Sequence, residues 1–123
     1  MNYLGIDYGE KRIGLAKADS SLKIAIPFKT IVNGPGILND LADIVSTQVI
    51  EKIIVGVPIS FSGGKNKFAA KIMEFAEDLE ARTGTPVELM NEIFSSKMAF
   101  DHSRKIDESA AAVILQSFLD KGS

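Results

Sequence analysis

The sequence predicts an α/β fold in which a mixed five-stranded sheet is flanked by helices. Three observations carry this. The first third of the chain strings short apolar runs between turn residues. After Gly34-Pro35-Gly36 the apolar residues switch from strand to helix spacing. From there helix and strand alternate to the last segment.

Each element has its own signal. Tyr3 to Tyr8 is a short apolar run that ends in Asp-Tyr-Gly. Arg12 to Ala18 is a second run, with Ile-Gly-Leu-Ala at its heart. Glu10-Lys11 lies between them, which predicts a tight hairpin. Lys23 to Val32 alternates through Ile24, Ile26 and Phe28, and Pro27 marks it as an edge strand or a bulge. Ile37, Leu38, Leu41, Ile44 and Val45 recur at helical spacing, with Pro35 suited to the helix start. Ile50 to Val57 is a run rich in Ile and Val, as in a buried parallel strand. Residues 65–82 form a long amphipathic helix lined by Phe68, Ile72, Phe75, Ala76 and Leu79, closed by Arg82-Thr83-Gly84. Val87 to Met90 is a short strand, and a short helix is expected after Phe94. Residues 106–120 give the last helix, with Ile106, Ala110, Val113, Ile114 and Phe118 apolar. The order β-β-β-α-β-α-β-α is that of the ribonuclease H-like fold, in which the first strand is central and the fifth lies close to it.

Composition narrows the chemistry. A chain of 123 residues is sized for a single domain, residues 1–123, and 46% hydrophobic residues suffice for a packed core. With no cysteine, disulfides, thiolate nucleophiles and thiolate metal sites are excluded. His102 is the lone histidine, so a multi-His site is excluded too. Any metal must sit on oxygen ligands. A net charge of −2 argues against a nucleic-acid binder held by bulk charge alone. No targeting segment stands out, and no apolar run approaches the ~20 residues of a membrane span. The expectation is a cytoplasmic protein without a membrane partner.

Three acids stand where ligands collect. Asp7 ends the first strand, and it reads equally as a turn acid or a functional one. Glu92 follows the fifth strand directly; alone it reads as a solvated loop acid. Asp107 opens the last helix; alone it reads as a capping residue. In the inferred fold the three can converge. A carboxylate cluster without histidine or cysteine suits a hard cation, Mg2+ or Mn2+. Two such ions about 3.5–4 Å apart activate water and stabilise the leaving oxygen in phosphodiester hydrolysis.

Gly5-Ile6-Asp7-Tyr8-Gly9-Glu10-Lys11-Arg12-Ile13-Gly14-Leu15-Ala16 resembles the opening motif of the YqgF family, the RuvX-like proteins called Holliday junction resolvases or pre-16S rRNA nucleases. Val55-Gly56-Val57-Pro58 with Gly63, Asn91-Glu92 with Ser95-Ser96 and Ala99, and Ile106 to Leu115 are similar to its later blocks. The resemblance runs from Tyr3 to Leu119. It implies divalent-metal nuclease chemistry on structured RNA (pre-16S rRNA) or branched DNA, with ribosomal particles as further partners. It implies that Asp7 bridges the metals, that Glu92 and Asp107 each hold one side, and that cleavage leaves a 5′-phosphate and a 3′-hydroxyl. Lys11, Arg12, Ser62, Lys65, Lys67, Arg104 and Lys105 are candidate nucleic-acid contacts; solvated turn cations and a plain surface loop are the alternative readings. His102 reads as an exposed loop histidine or as an aid to a leaving group.

Two departures accompany the resemblance. Asn91 stands where the family has Asp, and Ile93 where it has Arg. Glu92 and Asp107 are only 15 positions apart, where the family carries a longer Gly- and Lys-rich loop. Ribosomal RNA maturation is favoured over junction resolution, because a resolvase needs two active sites and the sequence shows no dimer surface. A monomer or weak homodimer is expected. The competing classes are a non-catalytic nucleic-acid- or ribosome-binding module and a nucleotide-binding fragment of the actin-like type.

Overall fold

The computed structural model describes residues 1–57, 67–91 and 106–121, with 106–109 described by their backbone. Strands β1 (Asn2–Tyr8) and β2 (Arg12–Asp19) form the expected antiparallel hairpin, Tyr8 opposite Ile13. Its tip needs Gly9, because a Cβ there would lie 2.4 Å from the Arg12 carbonyl oxygen. Strand β3 (Ile24–Val32) pairs antiparallel with β2. The register slips between Leu15 and Ala16, opposite Pro27 and Phe28. Pro27, which has no N–H to give the ladder, therefore sits on an edge strand and at a bulge.

The two crossovers then build the parallel half of the sheet. Helix α1 (Ile37–Thr47) leads to β4 (Ile50–Val57), which lies parallel to β1. Gly36 is the N-cap of α1, so Pro35 precedes the cap and does not occupy the first turn. Asp40 in that turn complements the helix dipole. Helix α2 (Lys67–Thr83) ends at Gly84, whose φ of +74° suits the residue after a C-cap, and leads to β5 (Val87–Asn91), parallel to β4. The strand order is β3-β2-β1-β4-β5. One expectation needs correction. β4 stands between β1 and β5, so the fifth strand is two ladder spacings, about 9–10 Å, from the first.

Each face of the sheet has its own core. On one, Leu4, Ile6, Ile13, Leu15, Ile53 and Val55 meet Leu41 and Val45 of α1 and Ile72, Phe75 and Leu79 of α2. On the other, Ala16, Ala18 and Ile54 meet Ala111, Ile114, Leu115 and Phe118 of helix α3 (Ile106–Asp120). Burial on both sides explains the apolar run Ile53 to Val57 of β4. The α3 stripe differs from the expected one: Ala111, Leu115 and Leu119 join Ile114 and Phe118 against the sheet, while Ala110 and Val113 are half-buried. The run Ala110 to Leu115 is apolar on every side, so spacing alone does not choose its buried face. No helix of the described residues is long and apolar enough to cross a membrane.

The choice is made at Gly5. A Cβ on it would lie 2.7 Å from Leu115 Cβ and 3.0 Å from the Ala111 carbonyl oxygen. Glycine inside a strand here marks the close approach of a second backbone. Gly5→Val is expected to destabilise the fold by about 1–3 kcal/mol through overpacking, with Gly5→Ala milder. Urea denaturation measures this; an unchanged midpoint for both variants would show that α3 does not pack so tightly.

Candidate functional site

Along β1 the side chains alternate between the two cores. Leu4, Ile6 and Tyr8 belong to the α1/α2 side, and Tyr3 belongs to the α3 side. Gly5 touches α3, and the period of two puts Asp7 on that side as well. Asp7 is half-buried at the carboxyl end of the central strand.

Strand β1 and helix α3 run antiparallel. Tyr3 meets Phe118 edge to face, with ring centroids 5.8 Å apart. Gly5 meets Leu115 and Ala111. The next step along both elements pairs the end of β1 with the first turn of α3, which carries Asp107. The backbone thus brings Asp7 and the Asp107 turn to one end of the sheet. Strand β5 reaches the same end, since Gly56 aligns with Met90 and Val57 with Asn91. Glu92 follows Asn91 and lies outside the described residues, as do Ser62, Lys65, His102, Arg104, Lys105 and the short helix expected after Phe94. Among the described residues no three His, Asp or Glu side chains gather; of the three acids only the Asp7 side chain is among them.

The hairpin tip beside Asp7 is held from two directions. From just past the end of β3, Asn33 donates its backbone N–H to the Lys11 carbonyl at 2.9 Å and its side-chain Nδ2 to the Gly9 carbonyl at 2.8 Å. From α2, Lys71 Nζ lies 3.8 Å from Glu10 Oε2, an exposed pair of small energetic weight. The Tyr8 ring packs at a tilt against Phe75, centroids 4.7 Å apart, and Phe68, 5.9 Å apart, which fixes α2 against the end of β1. Lys11, Arg12 and Lys67 are exposed around this end. Asn33 and Lys71 carry no local signal for these roles. Asn33 reads as the start of the turn Asn-Gly-Pro-Gly, and its partners are more than 20 positions away.

Comparison with known proteins gives the family and the fold. The family model for RuvX, described as Holliday junction resolvase, matches residues 1–121. A protein of Nitratidesulfovibrio vulgaris (strain DSM 19637 / Miyazaki F) named "Putative pre-16S rRNA nuclease" is 36% identical over 133 residues, covering 98% of this chain and 94% of that one. One of the same name from Anaeromyxobacter sp. (strain Fw109-5) is 38% identical over 134 residues, covering 98% and 97%. Both alignments are longer than the 123 residues of this chain, so each relative has residues that this chain lacks. Among solved structures, T. thermophilus RuvC in complex with a Holliday junction superposes with a TM-score of 0.69 at 15% identity, covering 98% and 95% of the two chains. The Fowlpox virus resolvase bound to junction DNA gives 0.59 at 14%, covering 98% of each. These likenesses establish the ribonuclease H-like fold.

The hairpin clamp is open to measurement. Asn33→Ala removes the bond to Gly9 and leaves a half-buried carbonyl unpaired, which should cost about 1 kcal/mol. Thermal denaturation reads the loss, and a melting point equal to wild type would mean that Asn33 does not hold the tip.

Proposed function

The chain belongs to the RuvX family, and from that premise we propose that it is a divalent-metal-dependent endonuclease that processes the 5′ end of precursor 16S rRNA. The observation that carries this reading is the antiparallel run of β1 and α3, which ends with Asp7 beside the first turn of α3. The relatives' names support that substrate; a cytoplasmic site of action and ribosomal particles as partners are part of the same proposal. A second reading, cleavage of Holliday junctions, is supported by the description of the family model.

The donor set fits a hard cation. It is all oxygen, and acids crowded at one strand end repel unless a cation neutralises them. Asp7, Glu92 and Asp107 would hold Mg2+ or Mn2+, which when bound supplies Lewis-acid activation of water and charge stabilisation at the leaving oxygen. The other work falls to the chain's own groups. The half-buried position of Asp7 limits the competing water around its carboxylate. Lys11 and Arg12, on a tip fixed by Asn33, bind backbone phosphates and set the register of the strand to be cut. Lys67 extends that contact along α2, and Ser62, Lys65, Arg104 and Lys105 are assigned to the same role. Cleavage in this scheme leaves a 5′-phosphate and a 3′-hydroxyl.

The test uses an RNA carrying the precursor 16S 5′ end and a four-way DNA junction, each with Mg2+, Mn2+ or chelator. Wild type should cut the RNA with metal and not with chelator. Asp7→Asn should cut at least about 100-fold more slowly, the loss expected when a few kcal/mol of metal-based stabilisation disappears. Equal rates for mutant and wild type would defeat the assignment. Faster cutting of the junction would favour the second reading. Binding of either substrate without metal-dependent cutting would make the chain a non-catalytic module.

A further inference from the structure

Helix α2 changes sign along its length. Its exposed charges begin with Lys67 and Lys71 and continue with Glu74, Glu77, Asp78 and Glu80 before Arg82. The neighbouring helix α1 exposes Asp40 and Asp43. The basic turns of α2 lie at the Asp7 end of the sheet, because Phe68 and Phe75 pack against Tyr8 there. The acidic turns lead away from that end.

Local helix stability does not explain this order. Lys67 and Lys71 are one turn apart, about 5–6 Å between Cβ atoms, where like charges repel. The described residues of the first turn hold no acid, although an acid there would complement the dipole as Asp40 does in α1. A helix stabilised by its own charges would carry them in the reverse order. The two lysines therefore serve something outside the helix.

Lys71 is also loosely held, unlike several other cations. Lys17 donates to Gln48 Oε1 at 2.8 Å and stands 4.7 Å over the Phe28 ring. Lys52 lies 3.0 Å from Glu88 Oε1 and 5.3 Å from the centre of the Phe118 ring. Arg82 donates to Asn39 Oδ1. Lys71 has the Glu10 carboxylate at 3.8 Å, with its own side chain 54% exposed and that of Glu10 67% exposed. An exposed pair at that separation contributes little, so another anion can take the place of Glu10 at small cost. The backbone need not move for the exchange. Asn33 holds the hairpin tip, and the Tyr8 contacts hold α2.

We propose that Lys71 is a further substrate contact, which binds a backbone phosphate of the precursor RNA in place of Glu10. This rests on the nuclease reading above and adds the course of the substrate. The RNA backbone passes from Lys11 and Arg12 at the tip to Lys71 and Lys67, and its footprint on α2 ends where Glu74, Glu77 and Asp78 repel it. Glu10 is an internal competitor. It yields to a chain of phosphates already held at the tip, for which Lys71 is at high effective concentration, and not to a single dilute anion.

The test is binding of RNA carrying the precursor 16S 5′ end, in chelator so that nothing is cut, followed by fluorescence anisotropy over a salt series. Lys71→Gln keeps the aliphatic stem and removes the charge. It should lower the slope of log affinity against log salt by about 0.7–0.9, the loss of one phosphate contact, with circular dichroism unchanged. Lys71→Arg should keep the wild-type slope. Glu10→Gln should tighten binding at least about twofold. Arg82→Gln, at the far end of α2, should leave the slope as in wild type. An unchanged slope for Lys71→Gln would overturn the proposal. So would an equal fall for Arg82→Gln, which would mark bulk charge and not a contact, or a Glu10→Gln variant that binds no tighter. If wild type cuts the RNA with metal while Lys71→Gln keeps the slope, this inference fails and the nuclease reading stands. If wild type does not bind the RNA, both fail.

Discussion

The close approach of α3 to β1 at Gly5 governs the rest of the structure. The α3 side of the hairpin carries small residues, Gly5, Ala16 and Ala18, while the opposite side carries Leu4, Ile6, Ile13 and Leu15. The asymmetry lets one helix lie directly on the sheet backbone while two helices are held off by bulkier side chains. A helix seated on backbone has little freedom to slide, because Leu115 Cβ and the Ala111 carbonyl already touch the strand. Its first turn therefore has a fixed height relative to the end of β1. The end of β1 and the first turn of α3 thereby come to one end of the sheet through packing set at Gly5.

Much of this was legible in the residues. The short apolar run of β1, the Ile/Val-rich run of β4 and the stripe of α2 were each readable from the order of apolar residues and the turns that bound them. Pro27 indicated an edge or a bulge, and the chain shows both. The orientation of α3 was not legible. Its centre is apolar all round, so the choice of stripe is made by a glycine 106 positions away from Ala111 in sequence. The spacing of β5 from β1 was hidden for a related reason. Element order fixes neighbours along the chain, whereas β4 inserts between β1 and β5 through its ladder. At the site, the position of Asp7 was legible from its strand; the Asn33 clamp was not, because its partners are distant and its sequence context is that of an ordinary turn.

A net charge of −2 describes the whole molecule and not its working end. Lys11, Arg12, Lys67 and Lys71 gather near the carboxyl end of β1, against Asp7 and Glu10 there. Glu10 already lies against Lys71. Metal bound at the acids would remove further negative charge from that end. On the proposed reading, a phosphate would meet a weakly positive field there, which favours contact without strong non-specific retention. With the stretch between Glu92 and Asp107 short, the chain has few cations to add.

The two ends of the sheet thus differ in kind. At the carboxyl end of β1 the chain spends its polar groups on shape: Asn33 holds the hairpin tip, and glycine at position 9 lets it close. At the opposite end it leaves Leu22, Ile24, Ile26 and Val49 in water and holds two residues in left-handed backbone. Exposure of that kind lowers solubility, and a domain gains nothing from it in isolation. Gln116, meanwhile, closes the β3 edge against uncontrolled strand pairing. The guarded edge blocks open-ended association, which would extend a sheet without limit.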